Sequence, residues 1–261
     1  MATYFRAFLS LAHESNAGFI LDSQTWKAHM HWADDLATHE RELHEANRDS
    51  VAFIAGLRAE FSDNKKPIVL NGVVGPRGNA YGSGTEVVAS EAEQYHSTQM
   101  GWLAETDVDM VTAVTFPHPE EAIGVVRAAR AVELPVVISF TVETDGKLPT
   151  GQSLHEAIET VDSATDSAAA YFMVNCAHSD HFAHVLADSA PACRIRGLRC
   201  NASRLSHDEL DQGEVLDDGD PVEFGRQYKS LAATMPWLNI FGGCCGSDLR
   251  HVTQVVRALS L

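Results

Sequence analysis

The sequence has no apolar run approaching the roughly 20 residues of a helical membrane span, which argues against an integral membrane protein. It is also poor in basic residues, with 19 Lys and Arg against 36 Asp and Glu and a formal net charge of −17. Nucleic acids and anionic membranes both need basic surface, so neither is expected as a partner. Cysteines number five (Cys176, Cys193, Cys200, Cys244 and Cys245), an odd count with no local C-x-x-C spacing and no disulfide-rich pattern. That usage points to a reducing cytoplasm in which thiols serve metal binding or packing. The opening MATYFRAFLSLAHESN lacks a basic n-region and a small-residue cleavage site, which agrees with a cytoplasmic location. No Gly-rich dinucleotide fingerprint follows the first β-prone run, and no low-complexity linker divides the chain. The expectation is therefore one domain over residues 1–261.

What is present is a regular alternation. Seven short β-prone runs occur: GFILDS from Gly18, PIVLNGVVG from Pro67, VDMVTAVTF from Val108, LPVVISFTV from Leu134, AYFMVNC from Ala170, IRGLRCNAS from Ile195 and LNIFGG from Leu238. Most are almost continuously apolar, as parallel strands buried on both faces must be. Amphipathic segments separate them. In the stretch beginning HERELHEAN, Leu43, Ala46, Val51, Ile54 and Leu57 fall on one helical face. In PEEAIGVVRAARAVE, Pro119 and two glutamates suit a helix start. Strand and helix alternating this way predict an α/β fold, and the absent fingerprint favours a TIM-type (β/α) barrel, incomplete with seven parallel strands. Three irregular loops follow strands, at the end where such barrels place their chemistry: VGPRGNAYGSG, VETDGKLPTG and the acidic stretch from Asn201 to Asp220, read as non-helical.

Cys176 closes one strand and the Cys244–Cys245 doublet closes the last, so three thiolates can converge at the C-terminal rim. Zinc on three protein ligands keeps one tetrahedral position open, the arrangement of a catalytic site. Gly242, Gly243 and Gly246 give the backbone room to turn both sulfurs toward one point. The alternative reading makes Cys176 a core residue and the doublet a coincidence. Cys193, at a helix end, and Cys200, in a strand, read as small hydrophobes.

VNC ending one strand and GGCCG ending another resemble the homocysteine S-methyltransferase family. GVVGPRGNAY from Gly72 and HPEEA from His118 extend the resemblance over nearly the whole chain. It implies a cytoplasmic zinc-dependent S-methyltransferase that passes a methyl group from a small donor to a thiol such as homocysteine. Cys176, Cys244 and Cys245 would bind Zn2+, and the metal would activate the acceptor thiol. Trp26, Asn175, Asn201 and Glu143 are the candidate substrate contacts. Asn175 and Asn201 stand at strand ends, where they orient a substrate or cap the backbone.

The chain also departs from the family. It opens on the helix that follows the family's first strand, so that strand and its Asp-Gly motif are absent. Val114 stands where the family carries an acidic residue for the substrate ammonium, with Glu120, Glu121 or Glu143 as possible substitutes. Trp26 stands where betaine-dependent members place a tyrosine. His178, His181 and His184 follow Cys176 at spacings of three, as candidates for a fourth ligand or as surface groups. These departures leave two alternatives: methyl transfer to another small thiol, or a zinc-binding barrel without turnover. Seven strands leave a gap, to be covered by the N-terminal helix through Phe5, Phe8 and Leu9 or by a second subunit, with a homodimer preferred.

Overall fold

The computed structural model describes residues 1–61, 66–82, 86–186 and 190–260. Residues 83 and 84 of the VGPRGNAYGSG loop lie outside them.

Seven parallel strands form one sheet in strict chain order. They are β1 (Phe19–Asp22), β2 (Ile68–Val74), β3 (Met110–Phe116), β4 (Val136–Phe140), β5 (Tyr171–Asn175), β6 (Ile195–Cys200) and β7 (Ile240–Gly243). Each corresponds to one of the seven runs read from the sequence. The helices are α1 (Ala2–Glu14), α2 (Glu40–Glu60), α3 (Ala89–Ala104), α4 (Pro119–Ala131), α5 (Leu154–Thr165), α6 (Ser179–Leu186), α7 (His207–Gln212), α8 (Pro221–Thr234) and α9 (Leu249–Leu259). Local chemistry sets several starts. Pro119 opens α4 with Glu120 and Glu121 in its first turn, and Ser153 with Glu156 forms a capping box on α5.

The acidic stretch from Asn201 to Asp220 is not wholly irregular. Ser206 and Glu209 build a capping box there, and α7 runs from His207 to Gln212 ahead of Gly213. Only six residues long, α7 has too little apolar periodicity to show in the sequence.

The sheet curls into an incompletely closed barrel of the TIM type. Its outer face packs on the helices through a large apolar cluster that includes Met100, Phe116, Val125, Ile138, Phe172, Leu198 and Tyr228. A Cβ built on Gly72 would meet Leu103 of α3, so Gly72 faces the helix layer and its neighbours Asn71 and Val73 face the lumen. Following the strand register from there, the lumen also receives Asp22, Thr112, Val114, Ser139, Asn175, Arg199 and Gly242. These positions, toward the C-terminal end, are mostly polar, whereas deeper in the lumen the same register places Ile20, Val69, Met110, Val137, Met173 and Ile240.

Among the described residues β1 and β7 are the sheet edges. On the outside, α1 contacts both α2 and α9 and so lies over this gap. Phe5 and Leu9 are buried against Leu21, Ile54, Leu57 and Leu70, which makes them core residues of this chain, and Phe8 is partly buried. On the inside, the Arg199 Nη1 on β6 donates to Asp22 Oδ2 on β1 at 2.7 Å. Arg199 pairs in register with Gly242 of β7, and a Cβ there would lie 3.3 Å from Arg199 Cγ. The arginine therefore passes over β7 where there is no side chain and reaches across the open side.

Candidate metal centre

Three sulfurs converge at the C-terminal rim. Cys176 Sγ lies 2.9 Å from Cys244 Sγ and 3.5 Å from Cys245 Sγ, and all three lie within 4.8 Å of one another. Cys176 is buried, Cys244 is partly covered and Cys245 is exposed, so the cluster opens to solvent on one side.

The backbone is bent to achieve this. Cys176 has φ +58° and Thr115, two strands away in β3, has φ +66°. Left-handed geometry at non-glycine residues, above all a β-branched one, costs free energy and persists where surroundings impose it. Asn175 does the imposing at Thr115. Its Oδ1 accepts from the Thr115 N–H at 3.0 Å and the Ser139 hydroxyl at 2.6 Å, and its Nδ2 donates to Thr115 Oγ1 at 2.7 Å. At Cys176, the backbone N–H donates to the Arg199 carbonyl, and the Cys176 carbonyl accepts from His207 Nε2 at 2.6 Å. The doublet loop is pinned in turn: the Cys244 N–H donates to the Cys200 carbonyl, and Cys245 N–H donates to Asn201 Oδ1 at 3.1 Å. Gly246 then leaves with φ +76°, in a space where a Cβ would crowd the Asp217 carbonyl.

Hydrogen bonding within the cluster separates the thiols electrically. Bonds from Cys176 and Cys245, together with the positive charge of Arg199, hold Cys244 well below the ordinary thiol range against the effect of burial. Cys176, sharing its proton with Cys244, is pushed well above it. One thiolate is thus already favoured, and a cation could displace the remaining protons. Sulfurs bonded to one tetrahedral zinc at about 2.3 Å are separated by about 3.8 Å, so the Cys176–Cys244 and Cys176–Cys245 pairs, at 2.9 and 3.5 Å, would open slightly to receive the ion. Three soft donors with one open side fit zinc. No histidine or carboxylate joins the group among the described residues.

Around the sulfurs sit residues that the sequence reading passed over. The Tyr81 hydroxyl lies 3.2 Å from Cys176 Sγ, and burial followed by the nearby Cys176 charge pushes its pKa up. Its ring packs 4.1 Å from the His207 ring. Glu143 Oε1 is 3.4 Å from His207 Nδ1 and is held at the rim, half-buried. The other sequence-predicted residues are placed as follows. Asn175 and Asn201 are buried and engaged with the protein itself, through the bonds given above. Trp26 donates its indole N–H to the Val114 carbonyl at 2.9 Å and packs on Gly75, a wall beside the lumen. Glu121 is buried and holds the loop after β2 through the Arg77 N–H and His96 Nε2. Among the histidines, His178 Nδ1 accepts from the Asp180 N–H, His181 donates to the Arg204 carbonyl and His184 is exposed. Cys200 is buried in β6, whereas Cys193 is exposed, contrary to its reading as a packed hydrophobe, because its short 3-10 turn lies at the surface.

The homocysteine S-methyltransferase family model matches residues 3–259. The chain belongs to the homocysteine S-methyltransferase family. Homocysteine S-methyltransferase 3 of Arabidopsis thaliana is 22% identical over 213 residues, covering 76% of this chain. The chain spans 59% of the length of that curated relative. Crystal structures of the homocysteine methyltransferase MmuM from Escherichia coli share the fold at 13% identity. The metallated form superposes with a TM-score of 0.71 over 96% of this chain and 83% of that one. The apo form gives 0.65 over 97% and 84%.

Proposed function

We propose that this protein is a zinc-dependent S-methyltransferase that transfers a methyl group from a small donor to a small thiol. The convergence of the three cysteine sulfurs beside an opening to solvent carries this reading. Cys176, Cys244 and Cys245 would hold the metal. A metal held there would lower the pKa of a coordinated acceptor thiol, otherwise mostly protonated at neutral pH, so that its proton is lost to solvent and the thiolate is left as nucleophile.

The protein's own residues supply the rest. His207 fixes the carbonyl of Cys176 and so the direction of its side chain. Asn201 fixes the amide of Cys245. Tyr81 offers a hydroxyl proton to Cys176 Sγ when that sulfur is a thiolate, and its ring with that of His207 shields one side of the cluster from water. Trp26 and Val114 present an apolar surface over which a methyl donor can approach. Homocysteine itself is one acceptor consistent with the family. Val114, at the position where an acidic partner for an ammonium group was expected, favours a different small thiol as the second reading.

The test is metal analysis followed by a screen of thiols against sulfonium and ammonium methyl donors. The expected outcome is about one zinc per chain and metal-dependent thioether formation with at least one pair. Stoichiometric zinc with no methyl transfer across the screen would identify a binding barrel without turnover.

A further inference from the structure

Arg199 is a charged residue on a lumen-facing position, one step of the sheet below the thiols. Its carbonyl accepts from the Cys176 N–H, and the next residue's carbonyl accepts from the Cys244 N–H. Its guanidinium spends only Nη1 on Asp22; among the described residues Nε and Nη2 have no acceptor. The Arg199 side chain is 29% exposed, and neither atom is among the fully buried unpartnered ones, so both keep some access to solvent. Asp22 is in the opposite situation. Its Oδ2 accepts from Arg199 and its Oδ1 from Asn71 Nδ2 at 2.7 Å, while Asn71 Oδ1 accepts from Thr112 Oγ1 at 2.9 Å. The pair therefore presents spare donors to the lumen and carboxylate oxygens that are already engaged.

We propose that Arg199 is the anion anchor of the acceptor site, so that the acceptor is a short thiol carrying a carboxylate or another anionic group near its sulfur. The inference rests on the proposed function and names its substrate class. An anion needs such an anchor here. The protein carries a formal charge of −17, and the three cysteine sulfurs add local negative charge when they bind metal. Arg199 feels both: Asp22 and then the Cys244 and Cys176 sulfurs favour its charged form. A guanidinium with two free N–H directions suits a carboxylate in a forked geometry. Among the described residues no free carboxylate lies beside Arg199 for an ammonium group: Val114 is apolar, both Asp22 oxygens are engaged, and Glu143 stands out at the rim with Oε1 3.4 Å from His207 Nδ1.

Calorimetry and cobalt spectroscopy on the full chain test this without relying on turnover. The probes are mercaptopropionate, its uncharged analogue mercaptopropanol, and homocysteine, each added to cobalt-substituted protein. Mercaptopropionate should bind at least about tenfold tighter than mercaptopropanol, the scale of one charge-assisted interaction. Homocysteine should gain nothing over mercaptopropionate from its ammonium group. Arg199→Met should bring the two simple thiols to within about twofold, with Arg199→Lys keeping part of the preference. Asp22→Asn should tighten mercaptopropionate several-fold by releasing the guanidinium while leaving mercaptopropanol unchanged, about the effect of one relieved ion pair. The anchor is overturned if wild type shows no preference for the acid, or if Arg199→Met retains it. Both thiols shifting the cobalt spectrum without that preference would leave the proposed function standing and remove the anchor alone. Neither thiol shifting the spectrum would remove both.

Discussion

Asn201 holds the amide of Cys245 through its side-chain carbonyl at 3.1 Å, so the residue after β6 sets the position of a sulfur that follows β7. Replacing Asn201 by Ala leaves the three sulfurs in place chemically but frees the loop. Supporting groups of this kind are worth about 10- to 100-fold in metal affinity. Competition with a chromogenic chelator should show a loss of that size, with Asn201→Asp, which keeps an acceptor, closer to wild type. Equal zinc affinity in the alanine variant would show that the loop holds itself.

Single replacement of Cys176, Cys244 or Cys245 by Ala should cut the purified protein's zinc from about one per chain to a small fraction, because two thiolates and water form a far weaker site. Serine at Cys193 or Cys200 should leave zinc content unchanged. Retention of full zinc by the triple alanine variant would contradict the assignment.

Asn175→Leu should destabilise the protein by about 3 kcal/mol or more, since three buried polar groups on Thr115 and Ser139 lose their partners at about 1–3 kcal/mol each. Urea unfolding gives the value. A marginal loss, accompanied by weaker thiol binding, would return Asn175 to the substrate.

Acid should weaken the fold over a defined window. Burial, then the neighbouring His96 and His31, depress the His29 pKa to about 3. Below about 6.5 the unfolded chain binds a proton that folded His29 refuses, so stability falls as pH drops from there toward 3. His29→Gln should flatten that part of the profile in thermal melts at stepped pH. An unchanged slope would place the acid sensitivity elsewhere, with His178, depressed by burial to about 4, the next candidate.

The seven strands were legible because each is a short apolar run bounded by loops, and parallel strands with a covered outer face leave that imprint. The convergence of Cys176 with Cys244 and Cys245 could be reasoned from their places after strands. The supporting residues could not. Tyr81 sits in a loop and His207 opens the short α7, and no periodicity encodes where either lies, although SHDEL from Ser206 carries a capping-box spacing that marks α7. Arg199 did leave a signal. A charge at a lumen-facing position of a buried strand requires a partner, but that partner, Asp22, lies 177 positions away, and pairing over that span depends on how far the sheet curls. Asn175 and Asn201 were rightly placed at strand ends; their bonds go inward to the backbone and neighbouring hydroxyls.

Because every strand pairs only with its immediate neighbours in the chain, the sheet can be laid down in the order in which the ribosome delivers it, each strand adding to the edge left by the one before. The sulfurs follow a different schedule. Cys176 emerges after β5 with nothing to share a metal with, and the other two thiols arrive only behind β7. The tie from Arg199 back to Asp22 likewise joins one of the last strands to the first. Metal capture and the drawing together of the open side are therefore late events of maturation. A nascent chain arrested before β7 would hold six ladder-ready strands, one of the three site thiols and no complete site for zinc.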